Sequence, residues 1–149
     1  MAVDTVITTR TVVFNDHGQL LLLTRSAADV YRPGGLDLPG GAVDEGEDFA
    51  AAAARETLEE SGLVLDPDKL MLFYASSRVG HNVDAGGVIN LVKLFFVAQA
   101  TDSVVVLSHE HQGYSWYTLE EAIAQTDHPH HKEVLEYLHD NGIAIEYWS

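Results

Sequence analysis

The sequence predicts a mixed α/β fold in which helices cover both faces of a mixed central sheet. Apolar runs of strand length, rich in Val, Ile and Leu, recur along the 149 residues and alternate with segments of helical character. Strands combined with two or three helices favour a helix-sheet-helix (α/β/α) sandwich. The chain length and the 46% apolar content are typical of one globular domain, which we expect to span residues 1–149.

Six segments have the composition of strands. The turn residues at 15–18 separate the first two, so these two are predicted to form a hairpin. Residues 26–35 follow as a loop. A glycine-containing loop at 80–87 joins the fourth and fifth strands, and the fifth is apolar enough to be central. The predicted strands are residues 5–14, 20–23, 36–38, 69–78, 88–100 and 114–118.

Three segments have the composition of helices. The first is predicted over residues 47–61, between a chain break at 39–41 and Gly62, which ends the helix. Thr118 can cap a second helix through its hydroxyl group, and a third helix is expected over residues 131–139. These helices supply the two outer layers of the sandwich.

An apolar stripe along the first helix is expected to dock it on the sheet. Ala51, Ala54 and Leu58 fall on one side of a 3.6-residue helical wheel. The alanines at 50–54 are interpreted as helix-forming and packing residues without a chemical role.

The composition limits the partners of the protein. The 23 acidic residues outnumber the 8 basic ones, giving a formal net charge of −15, which argues against nucleic acid or an anionic membrane as a partner. Such an excess of acidic residues also favours solubility, whereas a phosphate-bearing ligand would need divalent cations as a bridge to the protein.

No apolar run approaches the roughly eighteen residues of a membrane span, and the N-terminus has no signal-like segment, so we expect a cytoplasmic protein. With no cysteine, any metal must bind to oxygen or imidazole groups.

Three glutamates on the first helix have the spacing of a metal site. Glu56, Glu59 and Glu60 stand at positions i, i+3 and i+4, so their side chains share one face. Mutually repelling carboxylates suit a hard cation, and Mg²⁺ is the expected one. Arg55 adds an i,i+4 partner for Glu59. Three glutamates alone are equally typical of a solvated helix face.

The wider pattern around these glutamates resembles the Nudix box. Every fixed position of that box is present here, at Gly41, Glu47, Arg55, Glu56, Glu59, Glu60 and Gly62. The preceding turn, residues 38–41, also matches the family. Thr57 departs from the pattern, because an aliphatic residue is usual at its position, and the departure affects only helix packing.

The resemblance implies a role for each box residue. The metal-binding positions would be the carboxylates of Glu56, Glu59 and Glu60 and the carbonyl of Gly41. Glu47 and Arg55 would form a structural pair that holds the loop on the helix.

A further glutamate is implied by the mutator-type (MutT-like) branch of the family. In that branch a late-loop glutamate precedes a tryptophan by six residues, as Glu110 precedes Trp116. Glu110 is therefore a candidate metal ligand or general base, or an ordinary loop acid. Glu56 and Glu60 are alternative bases.

Candidate substrate contacts are basic and aromatic side chains outside the box. The basic candidates are Arg25, Arg78 and Lys93. For Lys93 the favoured interpretation is a surface charge. The aromatic candidates are Tyr31, Tyr74 and Tyr114. The second arginine, the proline and the tyrosine that mark named substrate classes in the family are not found at their usual places.

Histidines form two further groups. His109 and His111 flank Glu110, and residues 127–131 contain three more imidazoles, a residue type that binds transition metals. So short a segment cannot easily aim three imidazoles at one ion, and a solvated helix entry is the favoured interpretation.

The resemblance implies a Mg²⁺-dependent pyrophosphohydrolase, with Mn²⁺ as a substitute. Metal-activated water would cleave a phosphoanhydride bond in a nucleoside di- or triphosphate derivative, without a covalent intermediate. The alternative is a catalytically silent Nudix domain that acts as a nucleotide sensor or regulator, although such domains usually have damaged boxes. An isomerase or decapping enzyme ranks last. The expected partner is a small nucleotide, and a homodimer is possible.

Overall fold

The computed structural model describes residues 4–82 and 86–142. The strands are β1 (Thr5–Phe14), β2 (Leu20–Arg25), β3 (Leu36–Asp37), β4 (Gly40–Ala42), β5 (Met71–Asn82), β6 (Gly87–Gln99) and β7 (His111–Tyr117). The helices are α1 (Phe49–Ser61), α2 (Leu119–Gln125) and α3 (Pro129–Asp140), with a 3₁₀ turn at Pro67–Lys69. The N-terminal residues 1–3, the middle of the predicted loop at 80–87 and the last seven residues lie outside the described part.

The strands form one mixed sheet. Its order is β3-β2-β1-β6-β5, with β4 paired to β1 and β7 paired to β2. β1 pairs with β6 in parallel, from Thr5 opposite Asn90 to Phe14 opposite Gln99, whereas the other pairs are antiparallel. The predicted hairpin is present, because Phe14 of β1 pairs with Leu20 of β2.

Alternate residues of the central strands face two different layers. Phe95 and Val97 of β6 pack in the same cluster as buried residues of α2 and α3. Leu94 and Phe96, which point the other way, pack against Ala53 of α1. The period of two in a strand therefore puts helices on both faces, and the predicted α/β/α sandwich is confirmed.

Helix α1 docks through a different stripe from the one predicted. Leu58 is 48% exposed, whereas Ala53 and Thr57 are fully buried. The Thr57 hydroxyl donates to the Ala53 carbonyl at 2.8 Å, and the Ser61 hydroxyl donates to the Thr57 carbonyl one turn later. Both buried hydroxyl groups therefore form hydrogen bonds within the helix. The prediction was wrong because close approach to the sheet selected small residues rather than the most apolar ones.

The element ends differ from the predictions by a few residues. α1 begins at Phe49, since the Asp48 carboxylate caps it by accepting from the Ala51 amide at 2.8 Å, and Gly62 ends it at φ 74°. The predicted chain break at 39–41 is instead strand β4, and β7 starts three residues earlier than predicted. None of the helices in the part of the chain that the structure covers is long and apolar enough to cross a membrane.

Candidate active site

A cavity of about 410 Å³ opens beside the C-terminal half of α1. Strands β1, β2 and β4, helix α1 and the segments after β2 and before β7 all contribute to its wall. Its charged and imidazole lining residues are Arg10, Arg25, Asp29, Asp37, Glu60, Glu110 and His111. The cavity therefore brings a cationic group and a carboxylate group face to face.

Glu60 is the most unusual group in this cavity. Its side chain is only 7% exposed, and one oxygen accepts from the Gly40 amide at 3.4 Å while the other, Oε2, has no hydrogen-bond partner among the described residues. Burial raises the pKa of Glu60 to about 8. His111, whose Nε2 lies 3.8 Å from Oε2, is also buried, and burial lowers its pKa. A neutral imidazole gives the carboxylate no counter-charge.

Glu56 lies one turn before Glu60 on α1. It accepts a hydrogen bond from Arg55 Nη1 at 3.1 Å, and burial raises its pKa, with the charges of Glu59 and Glu110 adding to the effect. A side chain at Gly41 would meet the Glu56 carboxyl carbon at 2.5 Å, so the glycine lets β4 approach the carboxylate closely.

Arg55, in the middle of α1, is the centre of an ion-pair group that ties the helix to the loop before it. Its Nε and Nη2 donate to the two Glu47 oxygens at 2.7 and 3.0 Å, and Nη2 also reaches the Ala42 carbonyl at 3.0 Å. Hydrogen bonding to Arg55 lowers the pKa of Glu47. Glu59 is 56% exposed and bound to Arg55 Nη1 at 3.2 Å, so it does not share the buried environment of Glu60.

Glu110 lies on the opposite side of the opening. Its carbonyl accepts from the Ser26 amide at 3.1 Å, which holds the segment before β7 against the loop after β2. The Glu110 side chain is exposed, and no described residue forms a hydrogen bond with its carboxylate.

A divalent cation fits the donors on the helix side of the cavity. Glu56 and Glu60 are neighbouring carboxylates whose pKa values are raised, and the unpaired Glu60 oxygen is a buried acceptor. Within 4–82 and 86–142, no three carboxylate or imidazole side chains already converge as a complete ligand set. A bound ion would therefore take its other ligands from the Gly41 carbonyl, from a second carboxylate that turns inward, from water or from substrate.

The cations of the cavity converge on Asp37. Its buried carboxylate accepts from Arg25 Nη1 at 2.8 Å and from Arg10 Nη1 at 3.2 Å, and Arg32 Nη2 lies 3.6 Å away. Arg25 also donates to Asp29 at 2.6 Å, so the predicted phosphate contact is already bound to two carboxylates. Sequence reasoning missed Asp37, although an acid between two leucines of a short strand is a recognisable signal.

The three candidate tyrosines lie in different places. Tyr31 is 85% exposed and lines the cavity. Tyr74 packs edge-on against Phe95 and Tyr137, with ring centroids 6.0 and 5.2 Å away, so it belongs to the core layer under α3. Tyr114 is exposed on β7 and is not part of the cavity lining.

The histidines at the start of α3 do not form a solvated helix entry, and that interpretation was wrong. His131 is 1% exposed and stacks on His128 with ring centroids 3.9 Å apart. Burial lowers the pKa of both imidazoles, that of His128 to about 4. His128 and His130 line a second cavity of about 560 Å³ together with Arg78 and Lys93. Lys93 is half-buried there, so it is not an ordinary surface charge.

Comparison with known proteins agrees with this fold. The NUDIX domain model matches residues 4–138. The asymmetrical bis(5'-nucleosyl)-tetraphosphatase of Caenorhabditis elegans is 34% identical over 110 residues, which are 74% of this chain and 75% of that protein. The crystal structure of a C. elegans Ap4A hydrolase binary complex superposes with a TM-score of 0.62 at 29% identity, covering 88% of this chain and 93% of that one. The crystal structure of the MutT protein from Methanosarcina mazei Go1 gives a TM-score of 0.73 at 24% identity, over 95% and 98%.

The chain belongs to the Nudix family, as a hydrolase of the MutT-like kind. Nudix hydrolases generally use divalent metal ions and act on small-molecule nucleotide substrates.

Substitution by alanine is expected to have different effects at two adjacent glycines: Gly41→Ala should lower activity, and Gly40→Ala should lower stability. In Gly41→Ala the new methyl group meets only the end of the flexible Glu56 side chain, so the carboxylate moves aside while the fold is kept. We expect hydrolysis to fall by roughly 100-fold, because a shift of about 1 Å in a catalytic group has that effect, with little change in the thermal midpoint. In Gly40→Ala the methyl group overlaps the Thr9 carbonyl oxygen in the backbone of β1. This variant is expected to lose stability. Thermal unfolding and turnover measured on both variants check the pair, and an unstable Gly41→Ala would contradict the assignment.

Proposed function

We propose that the protein is a Mg²⁺-dependent pyrophosphohydrolase that cleaves a phosphoanhydride bond in a nucleoside di- or triphosphate derivative. The observation that carries this proposal is the buried Glu60 carboxylate next to Glu56. Its Oε2 has no hydrogen-bond partner among the described residues, and it shares a cavity with Arg10 and Arg25. Folding isolates such a carboxylate at a cost unless a cation binds it. Mn²⁺ is expected to substitute for Mg²⁺.

Each group at the site then has a distinct task. Glu56, Glu60 and the Gly41 carbonyl would hold the metal, and Glu59 would complete its protein ligands. The metal supplies an activated water and neutralises charge on the phosphates. Arg55 and Glu47 keep the loop against α1, which positions Glu56.

Glu110 is the proposed general base. Its exposed carboxylate forms no hydrogen bond with a described side chain, so it is free to take a proton from the attacking water. Glu56 and Glu60, as metal ligands, are less available for that step. Arg10 and Arg25 face the cavity as the groups that attract the substrate phosphates.

The substrate class rests on the relatives and on the shape of the site. Similarity to an asymmetrical bis(5'-nucleosyl)-tetraphosphatase supports a dinucleoside polyphosphate, although the tyrosine typical of that class is missing from its usual place. A nucleoside triphosphate is the second candidate. We take residues 1–149 as one Nudix domain acting on such small molecules in the cytoplasm. A silent sensor is disfavoured because every fixed box position is intact.

A phosphate-release screen tests the proposal. The panel contains nucleoside triphosphates, dinucleoside polyphosphates, nucleotide sugars and ADP-ribose, each with Mg²⁺, with Mn²⁺ and with EDTA. We expect turnover of at least one group in either metal and none in EDTA.

The matched variants are Glu56→Gln and Glu136→Gln. Glu56→Gln removes one proposed metal ligand and should reduce turnover by about 100-fold or more. Glu136 is exposed on α3, so its variant should behave as the wild type. Metal-independent turnover, or equal activity of the two variants, would refute the metal site.

A further inference from the structure

The second cavity carries a charge opposite to that of the protein. The chain has a formal net charge of −15, yet the cavity of about 560 Å³ is lined by Arg10, Arg78 and Lys93, and none of the described residues in its lining carries a carboxylate. Strands β1, β5 and β6 and the start of α3 form its walls. Three cations gathered on so acidic a chain form a local anion-attracting surface.

Two of these cations have no internal ion pair. Arg10 is paired with Asp37 at 3.2 Å, whereas no described residue forms an ion pair with Arg78 or Lys93. A second carboxylate, that of Glu133, contacts the lining from an exposed side chain 3.9 Å from His130. Burial lowers the pKa of Lys93, and the charges of Arg10 and Arg78 lower it further. The charge of Asp37 acts on Lys93 in the opposite direction, so the like charges are compensated only in part, and a bound anion would compensate the rest.

The remaining lining favours an oxyanion over a nucleobase. Thr8, Ser76 and Ser77 contribute hydroxyl groups, and the Ser76 hydroxyl lies 3.0 Å from His130 Nε2. Among the residues that the structure describes, no Phe, Tyr or Trp side chain lines the cavity for stacking. Hydroxyls, guanidinium groups and an ammonium group together are the usual donors to phosphate oxygens.

Arg10 connects this cavity to the first one. Its side chain lines both cavities, and its buried Nε has no hydrogen-bond partner among the described residues. A ligand that fills the second cavity therefore also reaches the arginine that faces Glu60.

We propose that the second cavity binds a phosphate monoester carried by the substrate, separate from the anhydride that is cleaved beside Glu60. This inference rests on the proposed function. Among nucleoside diphosphate derivatives it favours those that carry an additional phosphate monoester, a group that dinucleoside polyphosphates lack. A volume of about 560 Å³ holds more than a phosphate, so the group that carries it, a nucleoside or another sugar, enters as well.

Phosphate binding without metal tests the inference independently of turnover. In EDTA no metal ion bridges a phosphate to the carboxylates of the first cavity, and binding that depends on Lys93 and Arg78 reports on the second cavity. Calorimetry with inorganic phosphate, adenosine 3'-monophosphate and ribose 5-phosphate is compared with adenosine and ribose. We expect at least one of the two phosphate esters to bind about tenfold or more tightly than its unphosphorylated counterpart. The ester that binds better identifies the nucleoside or the simple sugar as the carrier.

Charge-removing variants locate the site. Lys93→Met and Arg78→Met should each weaken phosphate-ester binding about tenfold, Lys93→Arg should largely restore it, and Lys132→Met, exposed on α3, should leave it unchanged. Thermal unfolding of each variant confirms that it folds.

Equal binding of phosphorylated and unphosphorylated probes, or unchanged binding in both Lys93→Met and Arg78→Met, would overturn the inference. Absent turnover with intact phosphate binding would instead refute only the proposed function.

Discussion

Replacing Glu60 by glutamine is expected to lower kcat by about 10²- to 10³-fold and, in metal-free solution at pH 7, to make the protein more stable. Activity falls because the amide cannot bind the cation as a carboxylate does. Stability rises because the folded protein holds the Glu60 carboxyl in a buried place, where the charged form is disfavoured. One substitution thus separates function from stability.

The stability gain has a defined pH window. The pKa of Glu60 rises from an ordinary value of 4.5 to about 8 on folding, so between these values the folded state keeps a proton that the unfolded state has released. The wild type therefore loses stability as pH rises through this window, whereas the glutamine variant does not titrate there. At pH 7 the difference is up to about 3 kcal/mol in favour of the variant.

Urea unfolding in EDTA between pH 4 and pH 9 measures this effect. The free energy of unfolding of Glu60→Gln is compared with that of the control variant Glu136→Gln. The two variants should diverge as pH increases and then differ by a constant amount. Saturating Mg²⁺ should stabilise the wild type and leave Glu60→Gln nearly unaffected. A glutamine variant that is less stable than the wild type at pH 8 without metal would show that Glu60 is a structural ion-pair partner instead.

The sequence was sufficient to predict the fold because its signals are local. Period-two alternation in β6, the turn at residues 15–18, and the caps at Thr118 and Gly62 each depend on neighbouring residues only. The docking stripe of α1 was mispredicted because it depends on how closely the sheet approaches. The small residues Ala53 and Thr57 are buried against the sheet, whereas the more hydrophobic Leu58 is exposed.

The candidate site was predictable on one side only. The carboxylates of α1 follow a spacing that helix geometry translates directly into a shared location. The cationic side depends on long-range contacts: Arg10 and Asp37 are 27 residues apart, and β1 lies beside β6 only after the sheet forms. No local pattern places Lys93 beside His130, so the prediction that Lys93 is a surface charge was wrong.

Asp37→Ala is expected to destabilise the protein by about 3–5 kcal/mol and to reduce kcat/KM as well. The side chain of Asp37 is buried and compensates the guanidinium groups of Arg10 and Arg25, at 3.2 and 2.8 Å. Removing it leaves two partly buried cations near each other with one partner fewer, and removing one member of a buried ion pair costs more than the pair contributes. A domain of this size should lose roughly 10 °C in its thermal midpoint.

The control for this effect is Asp140→Ala, whose exposed carboxylate contacts His139 at the end of α3 and whose loss should change stability by less than about 0.5 kcal/mol. Asp37→Asn keeps the size and one acceptor oxygen, so an intermediate loss is expected. Urea unfolding at pH 7 and steady-state kinetics on all three variants separate the two consequences. If Asp37→Ala cost less than about 1 kcal/mol, the arginines would be held by other contacts. A large cost shared by stability and kcat/KM would instead mean that this one carboxylate positions the guanidinium of Arg10, the side chain that lines both cavities.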